Sequence, residues 1–254
     1  MSLRRFHFAG CCAAAGLLVV GAGAAWFMRP AATTVDPESR VVARVNVLDF
    51  EEPLVLFDTV FWEPDDTNSL RDVIRATPAV KGKDVLEIGA GSGLISLCCA
   101  KAGANRVVAT DINPHAVANA RYNAERLGLA DRVEVRQVAK FDPGAYSVLK
   151  PGEKFDVIIS NPPWEDRRPT TIDRYAMDDE GFSLLRSILK DLKTRLNPGG
   201  RAFLAYGCVS AVKTLKRLAP EYGLAYQVYD NRKLSDLDEV FLPGMLVIVW
   251  PRDP

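Results

Sequence analysis

From residue 67 onward the apolar positions switch repeatedly between a helical and an extended period. In "TNSLRDVIRA" (67–76), Leu70, Val73 and Ile74 recur at the i, i+3, i+4 spacing of one helix face. "KDVLEIG" (83–89) is instead a short, nearly continuous apolar run closed by glycine, the signature of a strand covered on both sides. The alternation continues with a helix over "SGLISLCCAKAG", a strand "NRVVATD", and an amphipathic helix "NPHAVANARYNAERLG" with Pro114 in its first turn and Gly128 at its end. Strands follow at "RVEVRQV" and "KFDVIIS", then a helix "EGFSLLRSILKDLKTRL" stopped by Asn197-Pro198-Gly199-Gly200, and a strand "RAFLAYG". The chain finishes with a helix "SAVKTLKRLAP" and two strands, "LAYQVYD" and "MLVIVW".

Repeated βα units of this kind predict an α/β fold: a mostly parallel, seven-stranded sheet with helices on both faces. Ligands of such sheets bind outside the carboxyl ends of the strands, near the switch point. Chemistry is therefore to be sought in the residues that end each strand.

The first 30 residues obey a different pattern. Phe6 to Met28 is a run of 23 residues without Lys, Arg, Asp or Glu, long enough to cross a hydrocarbon core of ~30 Å as a helix and longer than a usual signal-peptide core. Residues 1–29 are read as a hydrophobic anchor or signal, 30–40 as a polar linker, and 41–254 as the α/β domain. Arg4 and Arg5 precede the apolar run, and Arg29, Arg40 and Arg44 follow it, so the positive-inside rule gives no orientation. A domain using a cytosolic cosubstrate would face the cytosol, and it would be soluble in the cytoplasm if Met28 were the true start.

Charge changes the picture only slightly. Lys plus Arg and Asp plus Glu number 32 each, and three of the arginines lie in the first 30 residues, which leaves the main body mildly acidic. Broad capture of a phosphate backbone normally needs a net basic face, so nucleic acid is not favoured as a partner. The five cysteines, at 11, 12, 98, 99 and 208, have neither Cys-x-x-Cys spacing nor nearby histidines, and no metal site is expected. Cys98 and Cys99 read as core packing. His7 lies in the apolar run, leaving His115 as the sole histidine for any Ser-His-Asp arrangement.

Three strand ends carry candidate chemistry. After the first strand stands "EIGAGSG", in which Gly89, Gly91 and Gly93 permit a tight turn and close approach of a ligand to the backbone. Its G-x-G-x-G spacing is not the G-x-G-x-x-G of dinucleotide sites, and Glu87 two residues earlier can meet a cationic group. This favours a cofactor without a pyrophosphate. Asp111 closes the second strand, where a carboxylate can accept both hydroxyls of a ribose. After the fourth strand comes "SNPPW" (160–164), whose two prolines end the strand and hold an amide and an indole on a stiff turn.

Glu87, the glycine loop, Asp111 and SNPPW, in that order at successive strand ends, resemble the class I S-adenosylmethionine-dependent methyltransferases. More narrowly, they resemble the Asn-Pro-Pro-aromatic branch that holds the release-factor glutamine methyltransferases and the N6-adenine enzymes. The resemblance runs from "VFWEPDDTNSL" (60–70) through "VLEIGAGSGLISL", "ATDINPHAVANARYNAERLGL" and "FDVIISNPPW" to "DDEGFSLLRSILKDLKTRLNPGGRAFLAYG", most of residues 60–207. The glycine loop marks only the superfamily, and Asn-Pro-Pro-aromatic is the specific part.

The resemblance implies a Rossmann-like methyltransferase fold and S-adenosyl-L-methionine as cofactor, with Glu87 near its methionine end, Asp111 on its ribose, and Gly89, Gly91, Gly93 and Asn161 against it. It implies methyl transfer to a planar nitrogen, with the Asn161 side-chain oxygen and the Pro162 carbonyl accepting the two N–H bonds and Trp164 stacked on the flat group. The acceptor is a protein glutamine amide, with an adenine amine of nucleic acid, a small molecule, or a silent binding scaffold as alternatives. Two departures stand out. Trp164 replaces the usual tyrosine, and Ala139 replaces the acid that usually follows the third strand, leaving adenine to backbone groups or to Asp142. Phe61 to Thr67 and residues 165–171 are expected at the acceptor's entrance, with Asp166, Arg167 and Arg168 either reading substrate or forming a solvated loop. Asp178 to Glu180 are expected to cap the following helix.

Overall fold

The computed structural model describes residues 40–252, so the expected apolar helix at 6–28 lies outside the described residues. Nine strands and five α-helices follow one another as β1 (Val41–Val45), β2 (Leu54–Phe57), α1 (Asn68–Ala76), β3 (Asp84–Ile88), α2 (Leu94–Lys101), β4 (Arg106–Asp111), α3 (Pro114–Arg126), β5 (Val133–Gln137), β6 (Phe155–Ser160), α4 (Ser183–Arg195), β7 (Leu196–Cys208), α5 (Val209–Glu221), β8 (Leu224–Tyr229) and β9 (Val240–Pro251) among the described residues. Seven strands form one sheet in the order β5-β4-β3-β6-β7-β9-β8. β3 pairs in parallel with both β4 and β6, β4 with β5, and β6 with β7, while β9 runs antiparallel between β7 and β8.

Successive side chains of a strand point to opposite faces, and the two cores follow from that alternation. Val85, Val107, Val157 and Ile159 face α1, α2 and α3, where Leu70, Ile74, Leu97, Val117 and Ala120 meet them. Leu86, Val108, Ile158 and Leu204 face the other way, against Leu185, Ile188, Leu192, Val212 and Leu215 of α4 and α5. Each fully buried Leu or Ile contributes roughly 2 kcal/mol of transfer free energy, which fixes the strand register, since a one-residue slip would exchange the two faces.

Three local departures from the sequence pattern have physical causes. The hairpin of β1 and β2 was not anticipated, because "LVLF" is too short for periodicity to distinguish strand from helix. One edge of β2 pairs with β1, and its remaining backbone groups are met by side chains of α3. Asn123 Oδ1 accepts from Val55 N at 2.9 Å, Asn119 Oδ1 accepts from Phe57 N at 3.0 Å, and both amide nitrogens donate to Val55 O. Helix α4 begins at Ser183 and not at Glu180, because Gly181 and Phe182 both have positive φ. Strand β7 already begins at Leu196, carrying Asn197 to Gly200 in an irregular start opposite Phe155.

Candidate active site

The strand ends converge as the switch point requires. The chain turns at Gly89, Gly91 and Gly93, all with positive φ, and at Gly93 a Cβ would also sit 3.1 Å from the Cα of Ala120. Gly89 N and Ala90 N donate to Thr110 O at 2.8 and 3.0 Å, which ties the loop to β4. Gly91 N donates to Asp111 Oδ2 and Asn113 N to Asp111 Oδ1, both at 2.8 Å. Burial pushes the Asp111 carboxyl above its ordinary range, opposed by these backbone donors. Glu87 is 4% exposed, accepts a short hydrogen bond from Ser96 Oγ, and is pushed up to about 8 by burial.

Glu87, Gly89, Gly91, Asp111, Asn161, Pro162 and Pro163 line one cavity of about 600 Å³, a size ordinary for a small-molecule site, whereas Gly93, expected against the cofactor, does not line it and packs against Ala120. Ile112, Val138 and Pro143 give it an apolar side, and Phe61, Trp62, Tyr175 and Ile172 enter from the two flanking segments. Asn161 is held at both ends of its amide. Its Nδ2 donates to Asp66 Oδ2 at 2.9 Å, and its Oδ1 accepts from Trp164 Nε1 at 3.3 Å. An indole nitrogen can only donate, so the amide oxygen must be the atom facing it.

A family model described as ribosomal protein L11 methyltransferase matches residues 72–162. A putative protein N5-glutamine methyltransferase of Methanocaldococcus jannaschii is 33% identical over 181 residues, 68% of this chain and 85% of that protein. The chain belongs to the protein glutamine methyltransferase family. It is an S-adenosylmethionine-dependent methyltransferase. A release factor glutamine methyltransferase of Rhodopirellula baltica is 35% identical over 52% of this chain, and the match spans 49% of that enzyme's own length. A ribosomal protein L11 methylase from Lactobacillus delbrueckii subsp. bulgaricus shares the Rossmann-like methyltransferase fold, with TM-score 0.56 and 18% identity over 78% of this chain and 84% of that one.

The residues of this methyltransferase fit S-adenosylmethionine by their chemistry. Two carboxylates at adjacent strand ends, one of them buried with no cationic side chain among the groups that shift it, suit a ligand that brings its own positive charge. Beside Asp111, Ile112, Val138 and Pro143 form an apolar wall that would suit a flat adenine. Neither Ala139 nor Asp142 lines the cavity, whereas Val138 and Pro143 beside them do.

The structure corrects two further expectations in this glutamine methyltransferase relative. Trp164 does not stand in the cavity as a stacking platform: it is 6% exposed, belongs to the core beside α4 and α5, and its ring fills the space beside Gly207. The wider indole reaches past the position expected for it and grips Asn161 from behind. Of the segment 165–171, Arg168 and Pro169 reach the cavity, whereas Arg167 pairs with Glu165 at 2.7 Å and Asp166 accepts from Gly181 N. Asp179 accepts from Ser183 Oγ, Leu184 N and Leu185 N, the helix cap expected of that segment. Cys98 and Cys99 are buried, with thiols pushed up by desolvation. Asp66 was missed. The "PDDT" turn carries two adjacent acids, and only the fold shows that one of them points inward.

Proposed function

We propose that this methyltransferase methylates the side-chain amide nitrogen of a glutamine in a protein, a release factor being the acceptor that its relatives' names suggest. The observation that carries the reading is Asn161, an amide oxygen fixed at the wall of the cavity that also holds Glu87 and Asp111.

An amide nitrogen is a weak nucleophile because its lone pair is delocalised into the carbonyl. Asn161 Oδ1, which keeps a lone pair beyond its 3.3 Å contact with Trp164, and the Pro162 carbonyl would accept the two amide N–H bonds and turn the lone pair out of conjugation. The double proline keeps both acceptors on a stiff turn, so little reorganisation is needed when the acceptor arrives. Phe61, Trp62 and Tyr175 are the aromatic rings at the cavity that can cover a flat group, the part expected of Trp164. Bound S-adenosylmethionine supplies an electrophilic methyl group. Glu87 would hold its cationic end, Asp111 its ribose, and Gly89 and Gly91 would let the backbone approach it.

The test is to incubate the protein with methyl-labelled cofactor and a purified release factor, then hydrolyse and identify the labelled residue. Label in N5-methylglutamine is expected. Label that enters only nucleic acid or small molecules would overturn the acceptor assignment.

We also infer that residues 6–28 tether the enzyme to a membrane with its catalytic domain in the cytosol. The supporting observation is the uncharged 23-residue run. Among the described residues no helix is long and apolar enough to cross a membrane. Recovery of the full chain in the membrane fraction, resistant to high salt and lost on deleting residues 6–28, is the expected result.

A further inference from the structure

Asp66 is not explained by folding. It sits in a one-turn 3-10 helix, Pro64–Thr67, and is 1% exposed. Its Oδ2 accepts from Asn161 Nδ2, but its Oδ1 is buried with no hydrogen-bond partner at all. A buried, unpaired carboxylate oxygen costs several kcal/mol unless something completes it. Asp66 lines the same cavity as Asn161, so its carboxyl group lies beside the place where the reactants bind.

Building on the amide-methylation reading above, we infer that Asp66 both sets the orientation of Asn161 through Oδ2 and receives on its carboxylate the proton that the acceptor nitrogen must lose. The balance of the reaction demands such a group. When the nitrogen–carbon bond forms and the carbon–sulfur bond breaks, the electron pair goes to sulfur and the nitrogen is left with one proton too many. One of the two N–H bonds then leaves its acceptor, Asn161 Oδ1 or the Pro162 carbonyl, and its proton passes to the ionised Asp66 carboxylate lying against the same Asn161 amide, which becomes a neutral acid and later returns the proton to solvent.

The surroundings suit this role. Burial pushes the Asp66 carboxyl up to about 7, opposed by the Asn161 hydrogen bond. The charged groups that face its carboxyl are Glu63 and Asp65 in its own turn and Arg71 from α1, while the turn after β6 presents the neutral Asn161. An acid near neutrality is ionised often enough to accept a proton and basic enough to hold it briefly. Glu87 titrates too, but it lies at the first strand end, where it bears on cofactor affinity and not on a saturated enzyme.

Asp66→Asn tests the inference, because the asparagine oxygen can still accept from Asn161 Nδ2 while the proton acceptor is gone. With labelled cofactor at saturation and release factor as acceptor, the single-turnover rate of the wild type is expected to rise with pH through about 7. In D66N it should be lower by about 100-fold and flat over that range, with cofactor affinity unchanged by calorimetry, and D66E should recover part of the rate. Carbon-13 aspartate infrared difference spectra of wild type against D66N, recorded without acceptor, should show a carboxyl that titrates near neutrality. The inference is overturned if D66N turns over at the wild-type rate, if its only defect is weaker cofactor binding, or if the infrared band titrates in the ordinary carboxylate range. A wild type that leaves release factor unlabelled refutes the acceptor reading instead, and the infrared titration then decides alone whether Asp66 can serve.

Discussion

Asn123 and Val55, 68 positions apart, exchange two hydrogen bonds: Val55 N donates to Asn123 Oδ1 and Asn123 Nδ2 donates to Val55 O, both at 2.9 Å. The same Nδ2 also donates to Ser92 O in the glycine loop. One fully buried amide therefore binds the β1–β2 hairpin, α3 and the cofactor loop together.

Replacing Asn123 by Ala strands buried donors and acceptors that water cannot reach. The loss is expected to be about 3 kcal/mol, or roughly 5–10 °C in Tm for a domain of this size. Because Ser92 O loses its partner as well, cofactor affinity should fall with stability. Thermal unfolding with and without cofactor measures both, and an unchanged Tm would refute the bridging role.

Glu87 should make cofactor binding depend on pH. Its folded carboxyl titrates at about 8 because of burial, and a cationic ligand lowers that value, so binding below pH 8 releases a proton. Affinity should weaken as pH falls from 8 toward 6, and Glu87→Gln should flatten the profile. Calorimetry in buffers of different ionisation enthalpy counts the proton directly.

Stability should run the opposite way from the usual carboxylate case. The folded state holds protons on Glu87 up to about 8 and on Asp66 up to about 7, while the unfolded chain has released them near 4.5 and 3.8. Between those limits the folded state binds more protons, so stability of the cofactor-free protein falls as pH rises. The slope is on the order of 1 kcal/mol per pH unit for each group, and E87Q should lessen it in urea titrations between pH 5 and 8.

Trp164→Phe removes the donor that holds Asn161 Oδ1 while keeping most of the ring. The expected cost is about 1 kcal/mol in the transfer step, roughly a fivefold drop in kcat, with cofactor affinity unaltered. Gly207→Ala acts on the same contact from the other side. Its Cβ would lie 2.5 Å from both Phe241 O and the Trp164 ring, so about 2 kcal/mol of stability should be lost as the indole is displaced.

Much of this was legible in the chain. Strand and helix periods gave all seven strands of the main sheet, and the glycine loop, Asp111 and SNPPW gave three sides of the cavity. The β1–β2 hairpin was not legible, because four apolar residues have no period and their hydrogen-bond partners are asparagines more than 60 positions away. Trp164 was misread for a related reason. Motif position places the indole on the turn after β6, but the hollow above Gly207 decides which way it points.

By itself the sequence determined what local physics controls: which segments are strands or helices, where the chain must turn, and which side chains stand at strand ends. Only the tertiary structure decided which of those side chains lost their water and whom they met there. Asp65 and Asp66 are identical neighbours in the chain, yet one is exposed and the other is buried against Asn161. That difference arises because desolvation and hydrogen-bond partnership are properties of the packed sheet ends, contributed by residues that no window along the chain contains.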